Sequence, residues 1–415
     1  MNDGADRRFR RGWMWLALLA VVYFSAFAFY PRLFFILGVN HFNVWFLDSF
    51  AVLASNDALS AGRDPYANNP LDYLGRPHVY SHWWLHLRDL GLTRGDTVWL
   101  GISLAVAFLL AALGRLRPRT ARELLWYAAV LGSAPVLLAL DRGNNDLVIF
   151  ILLAFLVPGL LSSRRLVRFL APALVVLAAM LKYYPAVSAL LLLGGADPRE
   201  RRVRLLFTAM LGALAAVSMS GDLATAGSRS PVAEGMMSFG ATGAFNALGW
   251  TGWAPKLVCG AVGLAFMAWC WFGRVLGAWE PDSARSSDYL HFILGAVLLT
   301  GCFFANMNYG YRWVFSIWLA PLLWRLPREA AAPGSVCRLA DWTGGLLLFA
   351  LWWTPVYSFV LNRLVDRVPE AKLRQLQQWG FLIEQPVDWA FFLCLLVFLV
   401  HFTRRQLGEV IPRRT

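Results

Sequence analysis

The chain has 415 residues, of which 58% are hydrophobic and only 15% charged, with 20 Trp. Soluble globular proteins carry about 25% charge, so an ordinary soluble domain is excluded and the chain reads as an all-α polytopic membrane protein. A net charge of +13 and a pI near 10.0 raise the question of nucleic acid. The basic clusters RRFRR, RLRPR, SRRLVR and RERRVR are short, scattered and beside apolar runs, where topology and anionic lipid account for them, so no nucleic-acid partner is expected.

The first apolar run, 13–37, is longer than a signal-peptide core and lacks a small-x-small cleavage site, so it reads as an uncleaved span. Further runs follow at 97–113, 124–140, 147–161, 169–181, 185–195, 203–219, 252–272, 288–305, 313–325, 343–361 and 389–403. About 12 transmembrane or re-entrant helices are therefore expected, within a range of 10 to 13. A crossing needs about 20 apolar residues, so 169–181 and 185–195 read as one broken hairpin. Most of the 38 Lys and Arg fall between alternate runs. The positive-inside rule then places both chain termini in the cytoplasm. With no internal repeat or low-complexity linker, 1–415 reads as a single transmembrane domain with long outer segments at 38–96, 220–251 and 362–388.

The segment 38–96 is the richest. Apolar residues near helical spacing over 42–59, closed by Gly62 and Pro65, predict one short helix. Trp83, Trp84, Leu87 and Leu90 predict a second. Both are expected to lie at the membrane interface, where Trp is favoured. Asp48, within VWFLDSF, is a candidate general base because its neighbours are apolar; a helix cap or a surface carboxylate is an equal alternative. Asp57 and Asp64 are weaker candidates, and Asp64 before Pro65 most simply starts a turn. His78, His82 and His86 recur every four residues, a spacing that suits a metal on a helix, but the adjoining Trp pair favours an interfacial helix.

Between 124–140 and 147–161 lies the stretch DRGNND. Gly143 and the Asn residues would serve an ordinary turn. Arg142 between two carboxylates and beside Leu140 and Leu147 points instead to a polar cavity. There Arg142, Asn144, Asn145 and Asp146 can bind sugar hydroxyls or phosphate. In LKYYP, Lys182 stands between two short apolar runs and Pro185 breaks the helix. Lys182 either snorkels or, with the neighbouring phenols, holds a lipid phosphate. Late in the chain, Tyr311 and Arg312 in NYGYRW are interfacial, and Arg312 stands against the positive-inside trend as a further phosphate candidate. The five Cys form no CxxC pair, so neither a disulfide framework nor a metal is expected.

Taken together, Asp48, AGRDPY (61–66), RGNND, LKYYP and the late YR pair resemble the GT-C fold of membrane glycosyltransferases. They are most similar to glycosyltransferase family 87, the DUF2029 proteins typified by polyprenol-phosphate-mannose-dependent mannosyltransferases. Where these families often carry Gln after the Gly of the turn, this chain has Asn144. The resemblance implies inverting transfer of a sugar, mannose by default, from a polyprenyl-phosphate donor to an extracytoplasmic lipid-linked or glycan acceptor. It implies Asp48 as the catalytic carboxylate, Lys182, Arg312 and Tyr184 at the donor phosphate, and Arg142, Asn144, Asn145, Asp146, Asp64, Tyr66 and Tyr311 at the substrates. No cofactor beyond the lipid-phosphate sugar is implied, and a bacterial-type cytoplasmic membrane with an outward-facing site is expected. Two other readings of the same residues are a lipid or sugar carrier, with the polar groups lining a path, and a non-catalytic scaffold of envelope assembly. The long first outer segment favours the enzyme.

Overall fold

A computed structural model describes residues 11–194, 198–222, 233, 235, 237–277, 279, 287–329, 332–365 and 367–408. Residues 1–10, with most of the RRFRR cluster, and 223–232 of the expected outer segment 220–251 lie outside them. The principal helices are α1 (Gly12–Phe29), α2 (Leu47–Ser60), α3 (Thr97–Arg115), α4 (Ala121–Leu131), α5 (Ala134–Arg142), α6 (Asn145–Ala154), α7 (Ala173–Leu181), α8 (Pro198–Ser218), α9 (Trp253–Gly273), α10 (Ser287–Ala305), α11 (Gly334–Asn362) and α12 (Glu370–Gly408). Among the described residues, strand pairing is confined to β1 (Ser238–Phe239) and β2 (Asn308–Tyr309), which run antiparallel. The all-α polytopic architecture is as the sequence reads.

Among the described residues, six helices are long and apolar enough to cross a membrane, or seven if α4 and α5, bent by 49° at their break, make one span. The remaining apolar runs do not reach that length and composition among the described residues, and most of them are broken. α7 ends where Lys182 takes up extended backbone, φ −147° and ψ 136°, and the chain resumes as a 3-10 helix over Tyr184–Leu193 with Pro185 in its first turn, a position that proline tolerates because its missing N–H would be unpaired there. The run 313–325 divides into a 3-10 helix, Gly310–Trp318, and a short α-helix, Ala320–Arg325. The first turns of α8 carry Arg199, Glu200, Arg201, Arg202 and Arg204, which confines its apolar part. The segment 362–388 is largely helical, for α12 runs 39 residues without interruption. At 1.5 Å per residue this is about 58 Å, well beyond the ~30 Å hydrocarbon core.

The contacts divide the chain into two compact units, one of residues 1–40, 112–138 and 233–415, the other of 41–111 and 139–232. In the first, α10 is the central helix, with 78% of its span window buried against 22% for α1 and 17% for α9. Its core is aromatic: Phe303 stacks on Phe392 with centroids 4.0 Å apart, and Trp313 meets Phe391 at 5.3 Å. Such pairs add roughly 0.5–1.5 kcal/mol beyond the area they bury. At one end of this unit Arg115 and Arg325 both pair with Asp288, and Arg325 also reaches Glu123.

In the second unit α2 packs on the 3-10 helix His82–Leu90. Asn56 ties the two together: its amide donates to Trp84 O at 3.0 Å and accepts from Arg88 N at 2.9 Å. These are the two helices expected in the first outer segment. Instead of each presenting one apolar stripe outward, they bury Val52, Leu53, Trp84 and Leu85 against protein and leave Trp83 and Leu90 exposed.

Candidate functional site

The second unit gathers its polar groups where α5 stops and α6 starts. Gly143 turns the chain at φ +53°, and a Cβ there would stand 2.6 Å from Ser49 Oγ, so glycine is required sterically as well as conformationally. Asn144 caps α6, its Oδ1 accepting from Asp146 N at 2.9 Å, the ordinary service of an Asx residue at this position. The segment entering α2 is fastened to the same turn: Phe46 N donates to Asp141 O at 2.7 Å and Ser49 Oγ to Gly143 O at 2.7 Å. The left-handed Phe46, φ +59°, makes this approach possible and delivers Asp48 to the first turn of α2.

Asp48 is 6% exposed. Asn144 Nδ2 donates to its Oδ2 at 2.6 Å, Arg76 Nη1 lies 3.3 Å from Oδ1, and Arg142 Nη1 3.9 Å from Oδ1. Arg76 in turn forks onto Asp72, Nε to Oδ2 at 3.0 Å and Nη2 to Oδ1 at 3.1 Å, and reaches Leu47 O at 3.2 Å. Burial works against the Arg76 charge, but its hydrogen bonds to Asp72 and the charge of Asp48 outweigh it and hold the guanidinium above its usual pKa. Arg142 lies over the Phe42 ring at 4.5 Å, and its Nε has no hydrogen-bond partner among the described residues.

Asn144 also joins this group to a second one. Its Oδ1 accepts from Lys182 Nζ at 3.2 Å, and Lys182 pairs with Asp146 Oδ1 at 2.6 Å, an oxygen that also accepts from Tyr184 OH at 2.7 Å. Lys182 leaves the end of α7 in extended backbone, which aims it back toward the start of α6, and the Tyr80 ring stands 5.8 Å from its ammonium. His41 Nδ1 and Asp141 Oδ1 are 2.7 Å apart, completing a cluster in which three basic side chains, Arg76, Arg142 and Lys182, face the carboxyl groups of Asp48, Asp72, Asp141 and Asp146.

The sequence candidates therefore separate. Asp48, Arg142, Asn144, Asp146, Lys182 and Tyr184 come together. Asn145 is buried beside them at 3% exposure, its amide nitrogen without a hydrogen-bond partner among the described residues. Asp64 is exposed and accepts from Tyr66 N at 2.9 Å, so it serves the turn. Tyr66 packs edge-on against His78 at 5.1 Å, and burial together with the charge of Asp222 pushes its phenol up. Tyr311 and Arg312 belong to the other unit, where Tyr311 stacks on Tyr309 at 5.6 Å and Arg312 Nη1 lies 3.8 Å from Cys302 Sγ.

The three histidines do not form one face. His82 holds Asp222 at 2.7 Å, His86 holds Asp89 at 2.7 Å, and His78 faces Ser81 O at 3.3 Å. Among the described residues no group of three or more His, Cys, Asp or Glu could hold a metal. Sequence reasoning missed Arg76, Asp72 and His41. Arg76 did carry a signal, an Arg in the long outer segment against the charge trend, as Arg312 does.

Apolar spans that carry a buried network of carboxylates, arginines and a lysine at helix breaks define a polytopic membrane protein with a polar site inside an apolar body. Such groups are expensive there and mark function. Residues 91–307 match the sequence model of glycosyltransferase family 87, and the chain belongs to that family. It is thus a membrane glycosyltransferase, and the matched region includes RGNND and LKYYP while Asp48 and Arg312 lie outside it. No curated protein and no solved structure matches the chain.

Proposed function

We propose that this enzyme transfers a sugar, mannose by default, from a polyprenyl-phosphate donor to a lipid-linked or glycan acceptor, with inversion, at the outer face of the cytoplasmic membrane. The observation that carries the reading is Asn144, which donates to Asp48 and accepts from Lys182, so that a proton acceptor and a cation share one rigid amide. In the reaction Asp48 takes the proton of the acceptor hydroxyl, the freed oxygen forms a bond to the anomeric carbon, and the bond from that carbon to the phosphate oxygen breaks with its electron pair on the departing polyprenyl phosphate. Lys182 and Arg142 meet the charge that gathers on the phosphate, and Tyr184 keeps Asp146 in place behind Lys182. Asn145, with its open amide, contacts the sugar. Tyr66, Asp64, Tyr311 and Arg312 are given no step.

The test is transfer by purified protein, wild type against Asp48→Asn, from a panel of polyprenyl-phosphate sugars to a membrane lipid extract. Removing a general base costs about 10²–10⁴-fold, so transfer by the wild type and its loss in a variant that melts normally is the expected result. Equal transfer by both moves the base elsewhere, and transfer by neither across the panel favours a carrier.

A further inference from the structure

Beside the polar cluster, α7 and α8 face one another with matched apolar stripes. Ala173, Val176, Leu177 and Met180 on α7, and Leu211, Leu214, Ala215 and Ser218 on α8, follow the i, i+3, i+4, i+7 pattern of one helix face each and, with Trp83, line a cavity of 360 Å³. Two contacts fix which end of it is polar. Trp84, the neighbour of Trp83, donates its indole N–H to Leu181 O at 3.0 Å, and Leu181 is the last residue of α7, directly before Lys182. Asp222, just beyond α8, accepts from both the backbone N and the ring of His82, at 3.0 and 2.7 Å. Trp83 therefore stands at the end where α7 hands the chain to Lys182 and where α8 finishes. Elsewhere the groove adjoins bare hydrocarbon: Leu206, Met210, Leu214 and Val217 on α8 are 71%, 56%, 64% and 75% exposed.

We propose that this groove holds the head-proximal part of the donor's polyprenyl tail, which enters along the exposed flank of α8 and delivers its phosphate past Trp83 to Lys182. The inference rests on the lipid-phosphate reading of Lys182 and adds where the lipid lies. Two observations select a lipid tail over a peptide or a second copy of the chain: the lining is apolar but for Ser218, and one end of the groove lies at Met180 and Trp83, next to the α7 terminus that leads into Lys182, while the flank of α8 exposes large apolar side chains. At 360 Å³ it is near the lower limit of ligand pockets, so it takes a segment of a long tail and leaves the remainder in the bilayer.

Two measurements on the full chain in lipid nanodiscs test this. In the first, Ala215→Trp fills the groove, and kinetics are compared for a long-chain polyprenyl phosphate sugar and a methyl phosphate sugar, whose lipid part is too short to reach the groove. The KM for the long donor is expected to rise at least about tenfold, since even one methylene in an apolar pocket is worth about 10–200-fold, while the short donor and kcat are unchanged; an equal effect on both donors, or none, overturns the proposal. In the second, a polyprenyl phosphate without sugar and with a diazirine in its second isoprene is photolysed on the protein. Labelling of α7 and α8 that Ala215→Trp abolishes is expected, and labelling confined to other helices overturns the groove whatever the transfer assay shows. Labelling in the groove with no transfer from any donor keeps the groove and defeats the transferase reading instead.

Discussion

Asn144 and Asp48 stand 96 residues apart in the chain and are joined by a 2.6 Å hydrogen bond from amide to carboxylate. The oxygen of the same amide receives Lys182 and caps α6, so one small side chain satisfies a carboxylate, a cation and a helix end. Leaving buried polar partners unmade costs roughly 1–3 kcal/mol each, more for charged groups. Asn144→Ala is therefore expected to lower Tm by several degrees and to reduce transfer strongly. Asn144→Asp, which sets a second carboxylate against Asp48, is expected to do worse in both. A wild-type Tm for Asn144→Ala, measured by thermal unfolding in the same detergent, contradicts the assignment.

Lys182 and Asp146 form a buried pair, their side chains 8% and 0% exposed. Removing one partner of such a pair costs about 3–5 kcal/mol because the other charge is left uncompensated, whereas removing both costs far less than the sum. A double-mutant cycle of Lys182→Met and Asp146→Asn, read by denaturant unfolding, should show this coupling at about 1–3 kcal/mol. Simple additivity means that the pair is not formed in the folded protein.

His78 gives the fold a pH dependence. Burial pushes its pKa from 6.5 down to about 4, so the folded state resists a proton that the unfolded chain takes up. Above pH 6.5 both states are neutral and nothing is lost. As the pH falls from 6.5 toward 4 the unfolded state gains protons first, and stability drops by up to about 3 kcal/mol, at about 1.4 kcal/mol per unit. His78→Gln should flatten the decline of Tm over that interval. A parallel decline in wild type and variant assigns the acid sensitivity to other groups.

The parts of the site legible in the sequence are those where polarity interrupts an apolar run. DRGNND and LKYYP stand out because burying such groups is costly, and the structure joins them through Asn144, Asp146 and Lys182. Asp48 was visible only as one of two alternatives, since its burial is made by Asn144 and Arg142, far along the chain. Arg76, Asp72 and His41 lie in stretches without periodicity, and the charge trend marks Arg76 no more than the other arginines of the same outer segment, Arg63, Arg88 and Arg94. The helical, polytopic architecture was plain from hydropathy. Which of the expected transmembrane or re-entrant helices are long enough to cross was not legible, because an apolar run does not reveal whether proline or a 3-10 stretch breaks it before it has the length to span.

The halves of the Asp48 network are made at different times. Asp48, Asp72 and Arg76 emerge together, and their ion pairs can close as soon as that stretch is synthesised. The amide of Asn144 follows 68 residues after Arg76, roughly 3–14 s later at ordinary translation rates, and Lys182 later still. Throughout that interval Arg76 is the companion that shields the nascent carboxylate, beside a hydrophobic membrane and before its eventual neighbours exist. On this view Arg76 acts as a placeholder during biogenesis, holding Asp48 until the turn that will bond it has been made.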